Sequence, residues 1–515
     1  MKKIKFLGYI GILALAAGFT ACSDDNNDGG NGDGAGGKYI WTQDGGIKAC
    51  DHILFSEIDG SEDSDGRQIG NGDKEFVFKG KQTLKKGTYL LKGWVYIADG
   101  AELTIEKGTI IKGDKQTKAA LIAERGGKLI AQGSETEPIV FTSEEAKGSR
   151  KPGDWGGVIL CGKARNNQTE MQIEGGPRTL HGGNDDADNS GVLSYVRIEF
   201  AGYPFETDKE INGLTLGSVG SGTKIDHVQV SYSNDDSFEW FGGAVNCKYL
   251  IAYKGWDDEF DTDNGYKGNV QFALSVRDPR IADKSQSNGF ESDNCADGTA
   301  SATPLTAATF SNVTFIGPRA YTGFENTTSY INGGNVYPNN GSGLGKFQSA
   351  MHIRRSSHLN CFNSLAVGYP IGLIIDGEKG NTKSEAEANK INLKNIWFAN
   401  MEVIGSDANK IYDDVLYDAV SQAVIDANKN SFSHTFFLSQ TGNEVKDFAS
   451  LLLTDTYGVG AAFMPSAGSP LLSGASFSDA LLTSWFEKVN YIGAFAAGDT
   501  WLEGWTNFDP QNTDY

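Results

Sequence analysis

One short acidic-aromatic pattern occurs three times between residues 233 and 294, and nothing else in the chain restricts its fold as strongly. Residues 233–241 read Ser-Asn-Asp-Asp-Ser-Phe-Glu-Trp-Phe, residues 255–263 read Gly-Trp-Asp-Asp-Glu-Phe-Asp-Thr-Asp, and residues 286–294 read Gln-Ser-Asn-Gly-Phe-Glu-Ser-Asp-Asn. Phe238, Phe260 and Phe290 are each followed at once by a carboxylate, and the first two copies lie 22 residues apart. An apolar, strand-like run precedes each of those two copies, at 225–231 and 249–253. A period of this size means one supersecondary unit per repeat, stacked on the next. Stacking brings equivalent carboxylates of successive turns into a column spaced by about one strand separation, ~4.8 Å. Such a column repels itself unless water, a cation or a ligand intervenes.

The same texture extends far beyond the triplet. Residues 94–97, 102–105, 110–111, 121–123, 129–130 and 139–141 are short β-branched or aromatic runs separated by turns containing Gly or Asp, and later members fall at 195–200, 214–216, 228–230, 250–252, 270–274, 313–316, 371–375 and 391–399. No helical period is sustained through them. Two or three short strands per coil of ~20–30 residues predict an all-β chain, a right-handed parallel β-helix. The ~40–50-residue period of a β-propeller fits this spacing poorly. The expected division is a β-helix over 91–400, an N-terminal cap over 38–90 covering its open edge, and a C-terminal capping region over 401–515. That last region holds the one helical pattern, 413–428. Residues 318–350, rich in Asn, Gly and Tyr, are too long and polar for a tight turn; they read either as an excursion shaping a binding face or as a disordered decoration.

The chain opens with an address. Lys2, Lys3 and Lys5 precede an apolar run that ends in Phe-Thr-Ala before Cys22. Charged start, short apolar core and small-residue exit describe a secretory signal over 1–21, too short for a membrane span. Cys22 resembles the lipidated cysteine of a bacterial lipobox, although Phe19 and Thr20 depart from its commonest residues. The Ser-Asp-Asp-Asn-Asn-Asp that follows resembles an acidic surface-export signal, and residues 29–37 are a Gly-rich tether. The formal net charge is −21, which becomes −24 once a leader with three Lys and no acid is removed. So acidic a surface argues against nucleic acid or an anionic bilayer as partner and leaves cations, metal ions and neutral sugars open. Beyond Cys22, Cys50, Cys161, Cys247, Cys295 and Cys361 make an odd set that allows two disulfides at most, and the six His show no metal-ligand spacing.

A family resemblance rests on several segments together: Gly153-Asp154-Trp155-Gly156-Gly157, residues 190–202 reading Ser-Gly-Val-Leu-Ser-Tyr-Val-Arg-Ile-Glu-Phe-Ala-Gly, the acidic-aromatic repeats, residues 468–472 and 491–495, and residues 501–506. Over about residues 90–515 the chain resembles a widespread family of Bacteroidetes surface lipoproteins with a pectate-lyase-like β-helix, mostly of unassigned function. The resemblance implies an outer-membrane, surface-exposed protein tethered by lipid on Cys22, and it names no substrate. β-Helical pectate lyases place calcium on carboxylates and use an Arg or Lys to remove a sugar proton. Arg277, one strand beyond the repeats, is the matching candidate, with Arg354 and Arg355 as further ones, although Arg277-Asp278-Pro279 also reads as an ion-paired turn. The Gly-His-Gly and Arg-Ile-Lys motifs of β-helical polygalacturonases are absent.

The repeats supply the candidate site. Asp257, Asp261, Asp263 and Asp293 are expected metal ligands, since clustered hard oxygens suit calcium. Asp235, Asp236, Glu239, Asp258 and Glu291, with Trp240, Trp256 and Tyr266, are expected to bind a ligand, exposed rings beside acids being what stacks on sugars or cations. Asp257 and Asp261 are also the candidate catalytic carboxylates, for an inverting hydrolase needs two carboxyls ~6.5–9.5 Å apart. A solvated acidic face with Asx turns, and rings buried inside the solenoid, are the competing readings. Asp186 and Asp188 begin an Asp-x-Asp-x-Ser-Gly calcium-like turn whose twelfth position is Arg197 rather than Glu. The function expected from these features is capture of a glycan or metal-containing nutrient for a TonB-dependent transporter. A calcium-dependent polysaccharide lyase or glycoside hydrolase on the same face, and a structural envelope or adhesion protein, are the alternatives.

Overall fold

Parallel strands in register dominate the computed structural model. It describes residues 67–407 and 431–515, apart from 74, 169, 207–208 and 338–340, together with the strands Ile40–Trp41 and Ile47–Lys48. All of these belong to the unit Gly36–Tyr515. Among the described residues one sheet has 13 strands and another has 15. The chain alternates between them: Phe238–Phe241 in the first sheet, Asn246–Tyr253 in the second, then Phe260–Asp263, Asn269–Val276, Phe290–Ser292 and Thr309–Ile316 in the same alternation. Each strand pairs in parallel with its counterpart one coil away, Phe238 with Phe260 and Phe260 with Phe290. That is a parallel β-helix, as the 22-residue spacing predicts.

Strand alternation sends Phe238, Phe260 and Phe290 inward, where all three are fully buried. Phe238 stacks on Phe260, and Phe260 and Phe290 meet Phe310 and Phe315 of the opposite sheet, with the Phe290 centroid 4.5 and 4.6 Å from those two rings. Glu239, Asp261 and Glu291 therefore share the outer row of the 13-stranded sheet.

The 15-stranded sheet carries a bend at each coil. In the early coils the bend separates two strands, Lys128–Gln132 and Ile139–Ser143, and both pair with successive halves of the single long strand Gly191–Glu199. From there on one residue per strand takes the left-handed conformation: Tyr195, His227, Tyr249, Phe272, Asn312, Asn363 and Asn395, with φ between 51° and 62°. This conformation costs a non-glycine residue roughly 1–2 kcal/mol. Stacking offsets it for the aromatic members, whose successive centroids lie 4.3, 4.4 and 5.1 Å apart. The three later members are Asn, which tolerates the conformation best. Asn312→Val is expected to lower the unfolding free energy by at least about 1–2 kcal/mol, because a β-branched side chain at this φ is strained and the amide's bonds to Tyr491 and Gly493 carbonyls are lost. A urea titration checks this; an unshifted midpoint would mean that the bend carries no such constraint.

The ends of the solenoid differ from a simple cap–helix–cap division. Parallel pairing already joins Arg67–Ile69 and Phe76–Phe78, both inside the stretch expected to be a cap, to Thr88–Leu91 and Trp94–Ile97. The last residues lie along the outside of the 15-stranded sheet and run back toward its start. Ser476 bonds Asn363, Glu487 bonds Gln271, Asn507 bonds Gln229, and the Tyr515 hydroxyl donates to Glu199 at 2.6 Å. Trp505, fully buried, sits over the stacked Tyr195 and His227 rings at 5.9 and 5.7 Å. The helical pattern at 413–428 lies outside the described residues. A helix at Phe432–Ser439 follows it, N-capped by Ser431, with Phe437 stacked 4.1 Å from Phe398. Cys161, Cys247, Cys295 and Cys361 are buried free thiols; Cys50 is outside the described residues.

Candidate functional site

The outer row of the 13-stranded sheet forms the floor of a cleft of about 790 Å³ lined by carboxylates of the acidic repeats, by Arg354 and Arg355, and by Pro204, Gly341 and Ser342 at one wall. The excursion that begins at 318 supplies part of that wall. Val336 and Leu344 pack with Trp256 and Ile281, and Ser342 donates to the Asn234 carbonyl at 3.0 Å. Coil geometry sets each acid's task. Asp236 and Asp258 occupy the same repeat position, and each braces the next coil: Asp236 Oδ1 accepts from the Asp258 amide at 2.8 Å, and Asp258 Oδ1 accepts from the Asn288 amide. Asn288 continues the series by accepting from the Ser349 amide at 3.0 Å.

Two carboxylate groupings stand out. Asp235, Asp236 and Asp257 can each offer an oxygen within 4.8 Å of the others, and so can Asp236, Glu239 and Asp261. Asp257 Oδ2 accepts from Ser285 at 2.6 Å, while its Oδ1 and the Oδ1 of Asp261 are enclosed without a hydrogen-bond partner. Glu239 accepts from Asn212, which is 2 % exposed and whose own carbonyl oxygen lacks a partner. Burial first, and mutual repulsion second, push Asp236, Glu239 and Asp261 well above the ordinary carboxylate range; Asp257 and Asp258 shift the same way for the same reasons. Asp263 is pushed up to about 7 by burial and by the Asp293 charge.

The next coil reverses the sign. Arg354 bonds both Glu291 and Asp293, Arg355 bonds Asp293 at 2.6 Å, and His352 lies between Glu291 at 3.4 Å and Asp376 at 3.1 Å. Burial works to raise Glu291, but Arg354, His352 and Arg355 outweigh it and hold the carboxyl at about 2. The row thus splits: among the described residues Asp236, Glu239, Asp257 and Asp261 form no salt bridge with a Lys or Arg, whereas Glu291 and Asp293 are paired with Arg354 and Arg355.

A model of the pectate-lyase-like β-helix domain matches residues 77–447, more than half of the chain. The chain belongs to the pectate-lyase-like β-helix family. No curated protein and no solved structure matches it. Several residues that the sequence nominates take other roles in this pectate-lyase-like β-helix. Trp240, Trp256 and Tyr266 are fully buried and do not line the cleft. Trp240 stacks 5.3 Å from Tyr266 inside the solenoid, the Tyr266 hydroxyl donates to the Val245 carbonyl, and Trp256 packs under the excursion. None can stack on a ligand: strand alternation turns Trp240 inward, Tyr266 packs on it inside the solenoid, and Trp256 is covered by the excursion. Arg277 is also fully buried: it pairs with Glu259 at 3.0 Å and donates to the Asp257 carbonyl at 2.6 Å, so it cannot reach a sugar as a base. Its partner is not the neighbouring Asp278, which faces Lys254 at 3.8 Å.

Asp293 is taken up by two arginines and stands outside both groupings, as does Asp263. Asp186 and Asp188, expected to begin a calcium turn, are engaged by groups of the protein itself. Arg165 binds Asp186 through its guanidinium, Lys267 adds a second cation at 2.8 Å, and Asp188 accepts from the Lys163 amide at 2.9 Å. Conversely, Asn212, His352, Asp283 and Ser285 join or border the site without a signal in the repeats. His352 stands in register with Glu291, and the intervening excursion separates the two by 61 residues, which hides the repeat.

Proposed function

We propose that this chain is a lipoprotein held on the outer membrane through Cys22, which binds an acidic glycan with the help of calcium in the carboxylate cleft and presents it to a TonB-dependent transporter. The observation that carries the reading is the pair of carboxylate groupings with enclosed, unpartnered oxygens on Asp257 and Asp261. Oxygen-only donors in a loose arrangement are what calcium accepts, with six to eight ligands at ~2.3–2.6 Å. Trp240, Trp256 and Tyr266 are all withdrawn from the cleft, whose lining is mostly charged, so recognition by charge is favoured. A cation on Asp236, Glu239 and Asp261 would meet a sugar carboxylate and relieve the repulsion that raises these acids. The anchor and export reading rests on residues 1–37, the family likeness of the solenoid supporting a carbohydrate-related role.

The test incubates the full-length protein with uronate-containing and neutral polysaccharides, with calcium or with chelator, and measures retention of the glycan and release of reducing ends. Retention of uronate-containing chains with calcium only, and no new ends, is the expected result. Equal retention of neutral chains, or indifference to chelator, would sink the proposal. Catalysis on the same face is the second reading, favoured by a cleft whose carboxyls are shifted upward by burial. It would take precedence if new ends appeared and vanished in Asp257→Asn plus Asp261→Asn.

A further inference from the structure

We infer that the cleft is blind on the side of the earlier coils, so that it takes the end of an acidic glycan chain and not a stretch from its middle. The inference rests on the glycan-binding reading above and adds which part of the glycan is read. The outward row that holds Glu239, Asp261 and Glu291 continues by register back through Thr215, Ile159 and Ile122 and on to His352. Only its middle is open floor. Ile122, Ile159 and Thr215 face outward as Glu239 does, yet all three are fully buried. Ile173 and Ile211, from the two connections that precede the strand Leu214–Gly217, form one apolar cluster with Ile122, Ile159 and Phe241. The cover is tight at Gly217, where a Cβ would stand 2.7 Å from His181 Cγ and 2.8 Å from Ile173 Cδ1.

The cleft begins where this cover ends. Its lining includes Glu174, next in the chain to Ile173, together with Pro204 and the Phe241 of the apolar cluster. These form an end wall. The side wall supplied by the excursion reaches the same proline: a Cβ on Gly341 would lie 3.1 Å from Pro204 Cγ, so the two walls meet. In the opposite direction the cleft is open. Ser285, Glu291, Arg354 and Arg355 line both the cleft and an adjoining pocket of about 230 Å³, which continues to the exposed Glu378 and Lys379. From Glu239 through Asp261 and Glu291 to His352 the row advances by three strand separations, ~14 Å, the length of a few sugar units. A groove closed at one end and open at the other admits a terminus and rejects, by collision with the wall, a chain that continues past it.

Titration calorimetry of the full-length protein in calcium, with galacturonate, mannuronate and guluronate chains cut to several lengths, counts the protein molecules held per chain. One per chain is expected at every length, because only one end of each chain fits. On the longest chains a bulky fluorophore at one end should weaken binding roughly tenfold or more, and the same group at the other end should be tolerated. Leu180→Arg, at an exposed position on the far side of the end wall, should leave the affinity unchanged. A number of protein molecules that rises in proportion to chain length, or equal tolerance of the fluorophore at both ends, would overturn the blind end while leaving glycan binding standing. No binding of any of the three chains at any length would overturn the glycan-binding reading and this one with it.

Discussion

Arg277→Ala is expected to cost the fold about 3–5 kcal/mol, because it leaves Glu259 buried without its counter-charge. Both side chains are fully buried, the ion pair is 3.0 Å long, and Ser237 satisfies only the other Glu259 oxygen, at 2.6 Å. The guanidinium also ties the coil at the Asp257 and Trp256 carbonyls and lies 5.3 Å from the centre of the Phe347 ring. Replacing both partners by apolar residues, Arg277→Met with Glu259→Leu, should recover most of the loss, since no charge is then stranded. Guanidinium titrations of the three proteins measure this. A variant with an unshifted midpoint and lost action on a glycan would instead restore Arg277 as a base. Its position in the sequence, one strand beyond the acids, is the same under both readings; only burial separates them.

The second large effect is a pH dependence that calcium should erase. Asp263 titrates near 7, and Asp236, Glu239, Asp257, Asp258 and Asp261 are all shifted upward, by burial first and neighbouring charge second. A carboxyl whose pKa is raised in the folded chain favours folding fully below its unfolded value, about 4, and that contribution disappears as pH rises through the folded value. Glu291 works the other way, being held at about 2 mainly by Arg354 against the upward push of burial, so its contribution is complete once the pH passes its unfolded value. In chelator the melting temperature is therefore expected to fall steadily between pH 5 and pH 8. With calcium at a hundred times its dissociation constant, mass action returns about 2.7 kcal/mol per site. The fall should then flatten, with protons released as the ion binds. A melting temperature in chelator that rises over this interval would show that the cleft acids are not the groups in conflict.

Much of the solenoid is legible in residue order. Phe238, Phe260 and Phe290, each followed by an acid, announce both the stacking and the inward ring, because a strand has a period of two and successive coils repeat the register. The same rule places Glu239, Asp261 and Glu291 in one outward row. It also turns Trp240, two residues after Phe238, inward, against the expectation that this ring lies exposed beside the acids. Asp186-Ala187-Asp188 illustrates a different failure. Its spacing is that of a calcium turn, and only the arrival of Arg165 from 21 residues upstream and Lys267 from 81 residues downstream turns it into an ion-pair cluster.

Local pattern, then, determined the class of fold, the coil period and which carboxylates would face outward together, since all three depend on spacing along one strand and the next. Which acids remain uncompensated was decided by tertiary contacts alone. Arg354, Arg355 and His352 reach Glu291 and Asp293 only after a long excursion has folded out of the coil, and Asn212 reaches Glu239 from the coil before. Compensation of a charge depends on what lies within a few ångströms in space, and chain order does not record that distance.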